Sequence, residues 1–247
     1  MAMKHFFINL ICMFVLNKRH RERLRIQLKY DKRKCLNFVY NYMGTRHLKK
    51  KYYFGYGCKN LIIVVNDKTC FKFPFHKEQA QLWEKEKAIV DSFSSILHVK
   101  MPKIQIIKQG DMCVKKYDFI DGVTIDCADR ELVKKNVWKI ANQLVDFIFA
   151  MADSNPSKLK SFVPKHSKKP GFLYGWGHND IGGNFILNPK TMDIIGFIDW
   201  ENAGYGDIMP DLAQAIRYWN KMGYTQLGIE VIRKYTDKYI KHISSKK

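Results

Sequence analysis

The sequence predicts an α+β protein in two lobes: a small, mostly antiparallel sheet with one helix, then a mainly helical part, preceded by a basic helical extension. Three observations predict it. Short β-branched and aromatic runs, broken by turn residues, fill the stretch from 50 to 118. Long runs at helical spacing dominate from residue 132 onward. The charge is also uneven: residues 1–60 hold fifteen Lys or Arg against only Glu22 and Asp31, which is +13 of the net +20. The chain's 247 residues suffice for two lobes with cores, and an apolar content of 46% excludes a disordered chain.

The first segment is Phe6 to Leu16, an eleven-residue run that is apolar but for Asn9. Spanning a bilayer takes about 20 residues, so this run does not span. Lys18-Arg19-His20-Arg21 follows where a signal peptide would have small residues. Either the run docks on the protein core, or it lies in a membrane surface with its basic flank on anionic headgroups. The second reading places the protein in the cytoplasm, peripheral at the inner face of the membrane. Residues 18–43 read as a basic helix stopped by Gly44, with Leu24, Leu28, Cys35, Val39 and Tyr42 at helical spacing.

Strands follow. Tyr52 to Phe54 leads into Gly55-Tyr56-Gly57. Leu61 to Val65 turns at Asn66-Asp67 and returns through Cys70 to Phe73. A helix carries Leu82, Ile89, Val90 and Phe93 on one face, and Ile104–Ile107 and Met112–Tyr117 form a further strand pair around Gly110-Asp111. From 132 to 151 an apolar face recurs at helical period. A loop over 154–170 holds five lysines and no acid. A hairpin then runs from Phe185–Leu187 to Ile194–Trp200, and helices near 211–221 and 225–241 close the chain. The division is an extension over 1–43, a sheet lobe over 44–118 and a helical lobe over 119–247.

The six cysteines are scattered with no CxxC pair, which argues against a thiolate metal site and fits a reduced compartment. The candidate chemistry lies elsewhere. Phosphoryl transfer needs positioned phosphates, hard oxygen ligands for magnesium and a base for the attacking hydroxyl. Asp180 lies in a His-x-Asp turn, Asn184 follows it, and Asp199 ends the next strand, so the hairpin returns Asn184 and Asp199 to one end.

His178-Asn179-Asp180…Asn184, with Ile198-Asp199-Trp200-Glu201-Asn202-Ala203-Gly204 and Asp211-Leu212-Ala213, resembles the aminoglycoside phosphotransferase and choline kinase group. The resemblance spans roughly 50–240 and implies a two-lobed protein kinase-like fold. It implies an ATP-dependent kinase using Mg2+, with Asp180 as catalytic base, His178 bracing its loop, and Asn184 and Asp199 on the metal. Asp211 would be structural, holding the loop. Lys72, a lone lysine between aromatics on a strand, would reach the nucleotide phosphates and pair with Glu86 on the next helix, with Glu78 and Glu84 as competitors. Gly55 and Gly57 could let backbone N–H groups approach phosphate, or form a plain turn.

One departure bears on activity. Kinases place the asparagine five positions after the catalytic aspartate, whereas Asn184 lies only four after Asp180. Either the loop is one residue short, with Gly182-Gly183 supplying unusual backbone angles, or Asn179 takes the aspartate's place and the chain is a pseudokinase scaffold. The short loop fits the His-Asn-Asp run better.

The acceptor is read from charge. The lysine loop, and seven Lys or Arg after Trp219 against Glu230 and Asp237, suit an anionic acceptor. With the N-terminus, this points to a sugar hydroxyl of a lipopolysaccharide-type or other membrane-associated glycan. Choline, another amino alcohol or a soluble sugar is the alternative, with Tyr218, Trp219 and Tyr224 as an aromatic cage or as ordinary core. So basic a chain could also bind nucleic acid. Its charge flanks an apolar run rather than an aromatic-basic motif, so no nucleic-acid partner is expected.

Overall fold

A computed structural model describes residues 13–14, 21, 24, 32–54, 60–75, 77–163 and 173–244. The chain divides into two units, one of residues 1–84 with 104–119 and the other of 85–103 with 120–247. All but Met13 and Phe14 of the apolar run lies outside the described residues, as do Gly55, Gly57, Lys165, Lys168 and Lys169. Among the described residues, no helix is long and apolar enough to cross a membrane.

The first unit is built on a five-stranded sheet in the order β1-β2-β3-β5-β4, from Lys50–Phe54, Asn60–Val65, Thr69–Pro74, Met112–Asp118 and Gln105–Gln109. Every neighbouring pair is antiparallel. Asn66 and Asp67 both take positive φ (53° each), the left-handed geometry that a tight hairpin between twisted strands requires. Lys49 and Lys51 hold the Asp67 carboxyl below the ordinary carboxylate range.

Strand alternation gives the sheet two different faces. Leu61, Ile63, Val65, Phe71, Phe73 and Val114 form one face and are fully buried. Helix α1 (Lys32–Met43) covers it with Cys35, Phe38 and Val39. The Phe38 ring meets Phe71 and Phe73 edge-on, at 6.4 and 5.8 Å. The second half of the basic helix assigned to the extension is therefore part of the lobe's core. The reason is physical: three apolar residues at helical spacing close a sheet face that would otherwise be wet.

The second unit includes the later part of α2 (Lys77–Phe93) and is otherwise centred on α4 (Val137–Asp153), which follows the short α3 (Arg130–Lys135). The helix α4 buries ten side chains from Val137 to Ala152. Against it lies the hairpin β8–β9 (Phe185–Leu187, Ile194–Phe197), with β6 (Val123–Thr124) on its edge. The Phe147 ring stacks on Phe197 at 3.6 Å. Strands β7 (Tyr174–Gly177) and β10 (Gly204–Asp207) pair with each other, so the segments before and after the hairpin are tied together. Helices α5 (Met209–Met222) and α6 (Thr225–Ser244) end the fold.

Phe38→Ala is expected to cost about 3–5 kcal/mol, the usual cost of deleting a buried phenyl group. Denaturant unfolding checks it, and a change below about 1 kcal/mol would remove α1 from the core. A chain beginning at Gly44, which lacks α1, should lose the cooperative transition.

Candidate active site

The site grows from the ends of the β8–β9 hairpin. The peptide N–H of Ile198 donates to the Asn184 carbonyl at 2.9 Å, so the residue before β8 and the residue after β9 are pinned side by side. Asp199 follows at once, at φ 62°. A non-glycine residue in the left-handed region is strained, and such strain collects at functional turns. Three devices hold this turn. The Glu86 carboxylate, buried on α2 with 1% exposure, accepts the Trp200 N–H at 3.2 Å. The Trp200 indole donates to the Phe197 carbonyl at 3.2 Å. His178, 1% exposed, donates Nε2–H to the Ile198 carbonyl at 2.9 Å, with its ring 4.8 Å from that of Trp200. The remaining ring nitrogen, Nδ1, is buried without a hydrogen-bond partner among the described residues.

The turn before β8 is held differently. Asp211, in the first turn of α5 and only 5% exposed, accepts the backbone N–H of Asn179 at 2.7 Å and of Ile181 at 3.1 Å. The residue between these two is Asp180. Its carboxyl accepts from the Gln214 amide at 3.1 Å, and its carbonyl accepts from the Asn184 amide at 2.7 Å. Burial pushes the Asp180 carboxyl above the ordinary carboxylate range. The charges of Asp199 and Asp211 add to the rise, and His178 and Asn184 oppose it.

The four-residue spacing closes without help from glycine torsions. Gly182 and Gly183 are not among the residues at positive φ; Asn179 is, at 61°. The glycines serve close packing instead. A Cβ on Gly182 would stand 3.1 Å from Ala215 and 3.2 Å from Tyr218, and one on Gly183 would stand 3.1 Å from the Tyr218 hydroxyl. Trp219 fixes the same point by donating its indole N–H to the Gly182 carbonyl at 2.6 Å. The Asn179 amide donates to the Asn202 carbonyl at 3.1 Å, tying the two turns together.

Residues 126–240 match the model of the phosphotransferase enzyme family. The chain's fold is that of the aminoglycoside phosphotransferases. It is similar to wild-type aminoglycoside 2'-phosphotransferase-IIIa in its GDP complex, with 15% identity, a TM-score of 0.66 and coverage of 84% of this chain and 83% of that one. It is similar to ADP-bound aminoglycoside phosphotransferase APH(2'')-Ib at 12% identity and TM-score 0.63, covering 83% and 82%. The APH(3'')-Id enzyme from Streptomyces rimosus, with ADP and streptomycin, matches at 16% identity and TM-score 0.60, covering 83% and 92%. No curated protein matches the chain.

The segment around the β8–β9 hairpin brings together His178, Asp180, Asn184 and Asp199, and Glu86, expected from the sequence beside Lys72, accepts the Trp200 N–H. Lys72 is 4% exposed on β3, on the sheet face opposite α1. Of the competing glutamates, Glu84 is exposed and meets Lys108 at 3.4 Å. Trp219 and Tyr224 are core, with 0% and 4% exposure, so no aromatic cage forms there. Sequence reading missed Gln214, whose helical position three residues after Asp211 was its available signal. It also missed Lys115, which lies opposite Lys72 in strand register, is 1% exposed, and has its ammonium 5.4 Å from the Trp83 ring. A lysine alternating with Cys113 and Tyr117 was the signal there.

A carboxyl that ionises later in the folded chain than in the unfolded one weakens folding at neutral pH, and the penalty vanishes on acidification. Asp180→Asn should therefore be more stable than wild type near pH 7, with the gap closing toward about pH 4. Denaturant midpoints across that range test it; a variant no more stable than wild type at neutral pH would overturn it.

Proposed function

We propose that the chain transfers the γ-phosphoryl group of ATP to a hydroxyl, with Asp180 as the base. One observation carries the reading. Asp180 is presented between two N–H groups clamped by Asp211, and its raised carboxyl stands beside Asn184 and Asp199. A carboxylate in that setting can accept the proton of an attacking hydroxyl. Asn184 and Asp199 offer hard oxygens of the kind magnesium prefers. The Asn184 amide nitrogen is committed to the Asp180 carbonyl, which leaves its oxygen for a cation. The mutual repulsion of Asp180, Asp199 and Asp211 also favours a positive charge among them. Magnesium, when bound, neutralises phosphate oxygens and orients the transferred group. His178 and Glu86 keep the Asp199 turn in place, and Lys72 is the phosphate-directed lysine.

For the acceptor we propose a sugar hydroxyl on an anionic glycan of the lipopolysaccharide type, reached at a membrane surface. The support is charge: the net +20, the exposed Lys158 and Lys160 on the 3-10 turn Ser157–Phe162, and the lysines that follow. Residues 1–31, apolar and basic, would hold the enzyme on anionic lipid. Transfer of labelled phosphate from ATP, offered anionic glycans, kanamycin and choline in parallel, tests the acceptor. Faster transfer to kanamycin or choline would reject the anionic acceptor while leaving the kinase intact.

Asp180→Ala should lower turnover by at least about 10²–10⁴ while retaining nucleotide binding. Asp199→Ala should also weaken binding of the magnesium nucleotide. Wild-type turnover in Asp180→Ala would remove it as the base. Lys72→Met should weaken ATP binding far more than Lys68→Met in the β2–β3 turn, as read by calorimetry; equal affinities would reject the assignment.

A further inference from the structure

The helix α6 has two apolar faces, and the fold uses one. Leu227, Gly228, Val231 and Tyr235 are buried. The Tyr235 and His242 rings lie 5.4 and 5.6 Å from that of Phe149 on α4. Along another edge Ile229, Ile232, Ile240 and Ile243 are exposed by 53, 48, 54 and 41%. Single exposed apolar residues are ordinary, but four isoleucines in line on one helix form a contiguous apolar stripe of the kind that marks interaction sites.

The spacing says what the surface contacts. Thr236, also exposed, stands at the centre of the line. Counted from it, the isoleucines fall at −7 (229 − 236), −4 (232 − 236), +4 (240 − 236) and +7 (243 − 236). Steps of three, four and seven keep all five residues on one stripe. The stripe reads the same in either direction, so its best match is a copy of itself running the other way. A two-fold axis at Thr236 sets Ile229 against the partner's Ile243, Ile232 against the partner's Ile240, and Thr236 against itself. That is the pattern of an isologous interface, in which one patch serves both sides. Charge does not oppose it at the seam's edge. Arg233 is met by Glu230 at 2.8 Å and Asp237 at 3.7 Å on its own helix, so the flank is balanced although the chain carries +20.

We infer that α6 is the two-fold interface of a homodimer formed by antiparallel packing of two copies of this helix. The inference stands on α6 alone and is independent of the proposed acceptor and of catalysis.

Sedimentation of the full chain should give twice 29.1 kDa. Thr236 is exposed, so substitutions there spare the protomer's core. Thr236→Glu places two carboxylates on the axis and should weaken association at least tenfold, while Thr236→Ile should tighten it. Cross-linking reads the register. In a Cys127→Ser background, copper phenanthroline should join Thr236→Cys to itself. Ile229→Cys should not join to itself, but it should join to Ile243→Cys when the two variants are mixed and re-equilibrated. A monomer in sedimentation overturns the inference. So does a dimer indifferent to Thr236→Glu, or one in which Thr236→Cys fails to cross-link.

Discussion

Asp211 accepts two peptide N–H groups, those of Asn179 and Ile181, and thereby fixes the residue between them. A buried carboxylate must find donors, because leaving one unsatisfied costs several times what a hydrogen bond returns. Here the donors are backbone groups, which cannot rotate away as side chains do. The bonds force Asn179 into the left-handed region and carry Asp180 outward. Asp211 sits in the first turn of α5, where the helix dipole favours a negative charge. The same helix supplies Gln214 to the Asp180 carboxyl and Trp219 to the Gly182 carbonyl. The Asp180 turn is thus a peptide loop strung along one helix.

The Asp199 turn depends on a second carboxylate. Glu86 reaches it from α2, through the N–H of the following residue rather than through Asp199 itself. His178 works in parallel, through the carbonyl of the preceding residue. The strained residue is held from both sides through its neighbours' backbone groups. The His178 ring is packed against Trp200 and Phe197, which fixes its direction.

Much of this was legible in the sequence, and the reason is locality. Asp180, Asn184 and Asp199 lie within twenty residues of each other, with a hairpin between them, so spacing alone places them together. Asp211 could be expected to hold the loop because it opens a helix close behind. The strand alternation from Leu61 to Phe73 likewise announced a sheet with two faces. What sequence could not supply was the reason for the glycine pair. Torsional freedom and lack of bulk are both properties of glycine, and only the positions of Tyr218 and Ala215 show that bulk decides. It also hid the role of α1. A basic helix next to an apolar run reads as one extension, whereas burial assigns Cys35, Phe38 and Val39 to the sheet.

The crowding of Gly182 and Gly183 against α5 bears on how such a chain can change by inheritance. A side chain at either glycine presses on Tyr218, and a longer turn would move the carbonyl that Trp219 holds. A substitution at either glycine therefore needs Tyr218 to give way by a few tenths of an ångström, so a smaller residue at position 218 should ease it.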